Sequence, residues 1–140
     1  MLRVAITLTA LLLPTFAAAQ AADRDDAYES ATGTVLEMLL DEKNLSGSEV
    51  EVGILTFPAG SESAAHVHQS TEVFYVLEGQ LEHIVNGQSY ILDAGMLGWV
   101  RAPDRVTHKV SEDAGPTRVL VIWAPGGEAA NITGNWTRRP

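Results

Sequence analysis

The stretch of the chain that carries reactive chemistry runs from Gly60 to Gly79 and holds His66, His68 and Glu72 within seven residues. In an extended segment, side chains two residues apart project to the same face, so His66 and His68 can aim two imidazoles at one point. Gln69, Ser70 and Thr71 leave enough chain for a small bend that returns the Glu72 carboxylate to that face. Imidazole and carboxylate together are donors for one divalent transition metal ion, drawn from Fe, Mn, Ni, Co, Cu or Zn. The chain has no cysteine, which excludes thiolate metal sites and a Cys nucleophile. A further ligand must come from elsewhere. With four histidines in all, the choice is His83 or His108. No Ser-His-Asp spacing, Gly-rich phosphate loop or dinucleotide signature competes with this reading.

Ligands at this spacing need a rigid frame, and the surrounding sequence reads as short strands. Val50, Val52 and Ile54 alternate with Glu51 and Gly53, the pattern of a half-buried strand that ends near Phe57-Pro58. Residues 72–78 are rich in Val, Phe and Tyr. Phe74 and Val76 share the parity of Glu72 and should face inward with it, while Tyr75 and Leu77 take the outer face. Residues 80–85 alternate again, with Leu81, His83 and Val85 on one side. Asn86-Gly87 separates them from residues 89–92, and an Asn-Gly pair between alternating runs marks a hairpin because both residues tolerate positive φ. Further strands are expected over 96–100, 107–110 and 118–123. Residues 34–40 fit a strand or one short helix, and 44–48 a loop. Many short strands with Gly and Pro punctuation and no long helix indicate an all-β barrel or sandwich.

The two ends read differently. Met1, Leu2 and Arg3 precede a largely apolar run of ten residues, Val4 to Leu13, then Pro14, then Ala17-Ala18-Ala19. That order is a secretory signal peptide over 1–19, with cleavage near 19/20 or 21/22. That run is too short to span a bilayer, which takes about 20 residues. The expectation is an exported protein, periplasmic or secreted, with no membrane association after cleavage. Residues 20–33 then form a flexible acidic lead-in, 34–127 the barrel, and 128–140 an irregular C-terminal tail. Asn-x-Ser/Thr sequons stand at Asn44, Asn131 and Asn135 and matter only in a host that glycosylates exported proteins.

The spacing around the histidines resembles the first motif of the cupin superfamily at every fixed position. That motif is Gly, five residues, His-x-His, three residues, Glu, six residues, Gly, here Gly60, His66, His68, Glu72 and Gly79. The second cupin motif is matched less closely. Gly95 stands at its start and Pro103 to His108 keeps its Pro-to-His spacing. Seven residues rather than five separate Gly95 from Pro103, Arg105 replaces a Gly, and Glu112 stands where Asn is usual. The resemblance, over roughly residues 50–123, implies a small antiparallel double-stranded β-helix, the jelly-roll cupin barrel, with one metal inside. It implies His66, His68, Glu72 and His108 as the ligands, leaving positions open for water or substrate. Among functions, it implies an exported metal-dependent enzyme on a small organic molecule, dioxygenase-type first. Alternatives are an isomerase or lyase acting on a sugar acid or enol, or a non-catalytic protein that binds a small molecule or metal. It also implies a homodimer, which the apolar outer positions Tyr75 and Leu77 favour.

Charge narrows the partners. Loss of Arg3 with the leader leaves 8 basic residues against 18 acidic ones, and no Lys/Arg cluster suited to nucleic acid occurs. Arg101 and Arg105 flank Pro103 and are either solvent-facing or a clamp for a substrate carboxylate. His83 is expected to be a satisfied core or pocket-lining residue, Trp99 and Trp123 core or subunit-interface residues.

Overall fold

The computed structural model describes residues 26–140; the leader over 1–19 lies outside them. Its strands are β1 (Ala27–Glu29), β2 (Val35–Leu40), β3 (Glu51–Phe57), β4 (His66–Val67), β5 (Thr71–Glu78), β6 (Gln80–Val85), β7 (Gln88–Asp93), β8 (Leu97–Val100), β9 (Arg105–Lys109), β10 (Thr117–Ala124) and β11 (Thr137–Arg139). Two short helices, α1 (Glu42–Leu45) and α2 (Glu128–Thr133), complete the chain with one 3-10 turn. One sheet runs β11-β1-β2-β3-β10-β5-β8 and the other β4-β9-β6-β7, with every pairing antiparallel. The result is the all-β jelly roll expected from the strand pattern.

Alternation places the core between the sheets. Phe74, Val76, Val119, Val121 and Trp123 face inward from β5 and β10, and meet Leu81, Val100 and Val106 from β6, β8 and β9. Burying side chains of this size stabilises the fold by roughly 1.5–3 kcal/mol each. Phe74 and Val76 are buried as their parity with Glu72 requires, and Tyr75 and Leu77 are exposed. At the β6–β7 hairpin Asn86 has φ 50° and Gly87 φ 83°, the paired left-handed residues of a two-residue turn. Gly79, between β5 and β6, has φ 81°, and a Cβ there would lie 2.6 Å from Thr117 Oγ1. The last Gly of the first motif is therefore a packing requirement of the β5–β6 corner.

Three expectations need correction. The lead-in over 20–33 is not uniformly flexible, because Ala27–Glu29 forms β1 and pairs with both β2 and β11. The tail over 128–140 is not irregular: it contains α2 and then β11. The loop over 44–48 begins inside α1, which Asp41 caps by accepting from Lys43 N. The tail is legible only in context. The Ala129 N–H at the start of α2 donates to the buried Glu51 Oε2 at 2.9 Å. Ile132 and Trp136 pack on the core, and Arg138 and Arg139 pair with Asp26 and Glu29. Each of these contacts joins residues far apart in sequence, where no local pattern can signal them.

Candidate functional site

β4 carries His66, and the bend at Gln69-Ser70 turns the chain into β5, whose second residue is Glu72. Nε2 of His66 lies 3.1 Å from Nε2 of His68, and Nε2 of His68 lies 2.8 Å from Glu72 Oε2. The two imidazoles and the carboxylate thus converge, as the His-x-His spacing and the three-residue bend require. Two ligand atoms about 2.1 Å from one ion and at right angles to each other sit about 3.0 Å apart. The observed separations are of that size. The three do not form a ready-made cage, since among the described residues no group of three or more His, Asp or Glu side chains has that arrangement.

Partners behind these atoms fix their direction. Nδ1 of His66 is 2.8 Å from the Ala64 carbonyl, so it carries the proton and leaves Nε2 as a bare acceptor toward the cavity. Trp123 sits opposite Glu72 across the β5–β10 pairing, and its indole N–H donates to Glu72 Oε1 at 2.8 Å. Glu72 Oε2 is buried with no aligned hydrogen bond. Nδ1 of His68 lies 3.3 Å from Glu128 Oε1, again without hydrogen-bond alignment. The other oxygen of Glu128 accepts from the N–H groups of Gln69 at 3.0 Å and Ser70 at 3.2 Å.

His108 and His83 face one another directly across β9 and β6, their rings stacked at 5.4 Å and 10°. The two differ in what they reach. His108 lines the same cavity as His66, His68 and Glu72, and its Nε2 is buried without a partner. His83 is buried too, but it lines a separate cleft beside Trp99, with Nε2 3.3 Å from the Trp99 carbonyl. Phe74 packs against both rings.

The imidazoles differ in proton affinity. Burial disfavours the cation at His68, but the Glu72 carboxylate and then that of Glu128 outweigh it and raise its pKa. Burial holds His83 below its ordinary value, against the pull of the Trp99 carbonyl and Glu72. Burial, reinforced by the neighbouring His83, His66 and His68, holds His108 well below the ordinary range. His108 is accordingly a neutral imidazole with a free lone pair at neutral pH, the state a metal ligand needs.

The cavity above these donors has a volume of about 540 Å³. Leu55, Phe57, Ile132 and Trp136 give it an apolar wall, and Thr34, Ser61, Asn131 and Asn135 supply neutral hydrogen-bonding groups. Its charged side chains are all carboxylates: Glu62, Glu72 and Glu128. Arg101 and Arg105 do not line it. Arg101 stacks over the exposed Trp99 ring at 5.5 Å, and Arg105 bonds the Ala65 carbonyl from the surface. The sequence reading missed Glu128, Asn131, Asn135 and Trp136, all from the tail. Two of the sequons, at Asn131 and Asn135, prove to lie at the cavity mouth, where a glycan would obstruct entry. Trp123 is core, whereas Trp99 is 53% exposed.

A family model described as a cupin domain matches residues 53–123. The comparison with curated proteins gives no match. Among solved structures, an RmlC-like cupin from Shewanella frigidimarina is similar at 20% identity, covering 84% of this chain and 96% of that one, with a TM-score of 0.61. KdgF from a Halomonas species is similar at 13% identity, covering 81% and 98%, with a TM-score of 0.65. The DMSP lyase DddQ from Ruegeria pomeroyi is similar at 20% identity and a TM-score of 0.51, over 55% of this chain and 39% of that one.

Proposed function

The chain belongs to the cupin family, and from that premise we propose that it is a metal-dependent enzyme of the dioxygenase type acting on a small neutral organic molecule. His66, His68, Glu72 and His108 hold the ion in this reading. Glu72 Oε2, buried and without an aligned hydrogen bond, and His108 Nε2, buried without a partner, fit such an ion, as does the nitrogen-and-carboxylate character of the set. A redox-active divalent ion bound there supplies the electron exchange that makes dioxygen reactive, which no side chain of this cysteine-free chain can do.

One observation carries the choice of reaction: among the described residues, the cavity offers no buried base that is not a ligand in this reading or already engaged. Isomerisation or elimination at a carbon next to a carbonyl needs a positioned side chain to take the proton. Glu72 is a ligand in this reading and is held by Trp123. Glu128 is engaged with Gln69, Ser70 and His68. Glu62 is exposed and lies 3.9 Å from Lys109. His83 faces another cleft. What the chain itself does is bind and orient. Phe57 and Trp136 offer faces for an unsaturated ring or enol, and Asn131, Asn135 and Ser61 offer neutral partners for its hydroxyl or carbonyl groups. Among the described residues the lining has carboxylates and no Lys or Arg, so a substrate carboxylate would meet no cationic side chain and would be repelled by Glu62 and Glu128; neutral phenols and enols are therefore favoured over sugar acids.

The leader supports export, and we place the activity in the periplasm or outside the cell. Elemental analysis of protein purified without added metal, followed by oxygen-electrode assays, tests the whole reading. One transition-metal equivalent per chain is expected, lost in His66→Ala, His68→Ala, Glu72→Ala and His108→Ala and kept in His83→Ala. Oxygen uptake is expected with neutral phenols and enols and not with their carboxylated counterparts. Unchanged metal content in all four ligand variants overturns the metal site. Retained metal with turnover of sugar acids and no oxygen uptake overturns the dioxygenase assignment.

A further inference from the structure

Glu128 is 4% exposed, and its carboxylate sits inside the protein rather than on the acidic surface. It arrives from the first turn of α2, 60 residues along the chain from His68, and the contacts of Glu51 and β11 described above hold that helix in place. A buried carboxylate is costly unless its oxygens are used. Oε2 is used twice, on the N–H groups of Gln69 and Ser70, which form the bend between His68 and Glu72. Ser70 Oγ, in turn, donates to the Pro125 carbonyl at 2.6 Å, so the bend is tied at two points to the segment leading into α2. Oε1 is left facing His68 Nδ1 at 3.3 Å.

His68 lies between two carboxylates: Glu72 Oε2 faces Nε2 at 2.8 Å and Glu128 Oε1 faces Nδ1 at 3.3 Å. A carboxylate only accepts, so when the Nε2 lone pair is given to an ion shared with His66 and Glu72 the proton must sit on Nδ1, where Glu128 Oε1 is placed to accept it. The Ala64 carbonyl does the same for His66 from 2.8 Å. We propose that Glu128 is a positioning residue: it supports the Nδ1–H form of His68 that a metal on Nε2 requires, and it fixes the bend that brings Glu72 beside it. The tail then completes the metal site without touching the metal. This rests on the reading of His68 as a ligand.

The test is Glu128→Gln, compared with Glu128→Ala. A Gln side chain of the same length can still accept from Gln69 and Ser70, but it turns an N–H toward His68 Nδ1 and so no longer accepts the proton there. Long-range ¹⁵N–¹H correlation spectra of the zinc-loaded and metal-free full protein report the His68 tautomer directly. Competition with a chromogenic chelator reports Zn²⁺ and Mn²⁺ affinity. Expected in Glu128→Gln is a far-UV spectrum and melting curve close to wild type in the metal-free state. Metal affinity should fall roughly 10–100-fold, and the His68 Nδ1–H signal of the zinc-loaded protein should shift or broaden, because its acceptor has become a donor. Glu128→Ala should lose affinity and also unfold earlier, since it frees the bend. If Glu128→Gln binds metal as wild type does and the His68 Nδ1–H signal is unchanged, the positioning role is overturned while the metal site stands. If wild-type protein binds neither ion, the metal reading fails and this inference fails with it.

Discussion

Removing the indole N–H that holds Glu72 should cost more than the volume it removes. In Trp123→Phe the ring remains in a core position that is fully buried, and Glu72 Oε1 loses a donor at 2.8 Å. A hydrogen bond to a charged group contributes about 1.5–3 kcal/mol. The space vacated by the smaller ring adds roughly 1 kcal/mol. The expected loss is therefore about 2.5–4 kcal/mol of a total near 5–15 kcal/mol for a domain of this size. At about 4 °C per kcal/mol that is a drop of roughly 10–16 °C in melting temperature. Thermal unfolding of metal-free protein by circular dichroism measures it, and a double-mutant cycle with Glu72→Gln separates the two terms. Neutralising the acceptor reduces the bond to about 0.5–1.5 kcal/mol, so the cycle should show a coupling of roughly 1 kcal/mol. A coupling indistinguishable from zero, with Trp123→Phe costing only the cavity term, would refute the claim that Trp123 holds the carboxylate.

Three other outcomes follow from the same geometry. Chelator-treated protein should be most stable just above pH 6.5. His68, with a raised folded pKa, adds stability that is fully present below about 6.5 and is lost as pH rises through its folded value. His83 and His108, with lowered pKa values, lose stability as pH falls below about 6.5, because the unfolded chain takes up the protons first; urea titrations from pH 5 to 8.5 that show a monotonic rise would contradict this. Leu97 and Trp99 on the edge strand β8, with Tyr75 beside them on β5, form an apolar outer face in which the first two are 55% and 53% exposed. Light scattering should find a dimer that Leu97→Glu and Trp99→Glu convert to monomer, and a monomeric wild type at micromolar concentration would rule that face out as the contact. Intact mass of the protein recovered from its native host should begin at Gln20 or Ala22, and a chain retaining Met1 in the cytoplasm would rule out export.

The central strands could be read from the sequence where an apolar or alternating run is closed by a turn residue, as at Gly79, Asn86-Gly87 and Gly95. Residues 80–85, the Asn86-Gly87 turn and β7 are one hairpin in which every signal is local. β1, α2 and β11 carried no such signal. They are too short to show a period, and they form because the barrel offers β1 an edge, Glu51 offers α2 an acceptor, and Asp26 offers Arg138 a carboxylate. A segment stabilised by partners up to 112 residues away looks irregular when read alone.

The candidate site divides along the same line. His66, His68 and Glu72 occupy one short segment, so periodicity and a three-residue bend were enough to place them at a common point. Donor chemistry alone left His83 and His108 both open, and only the Pro-to-His spacing of the second motif favoured His108; in the structure they are cross-strand neighbours with stacked rings. Access differs between them, since the cavity reaches His108 while His83 lines another cleft with its Nε2 toward the Trp99 carbonyl. Glu128 and Trp123 lie further from any sequence rule, because a residue that acts on a ligand from behind needs no fixed spacing to it. Trp123 reads as core, and it is core; only its register against Glu72 turns its N–H to use. Glu128 is one carboxylate among 18 acidic residues, and only the structure shows it to be buried, with Glu51 and Glu72, and turned toward His68. The groups behind the candidate donors are therefore set by tertiary register, and a sequence comparison limited to the histidine motif would pass over both.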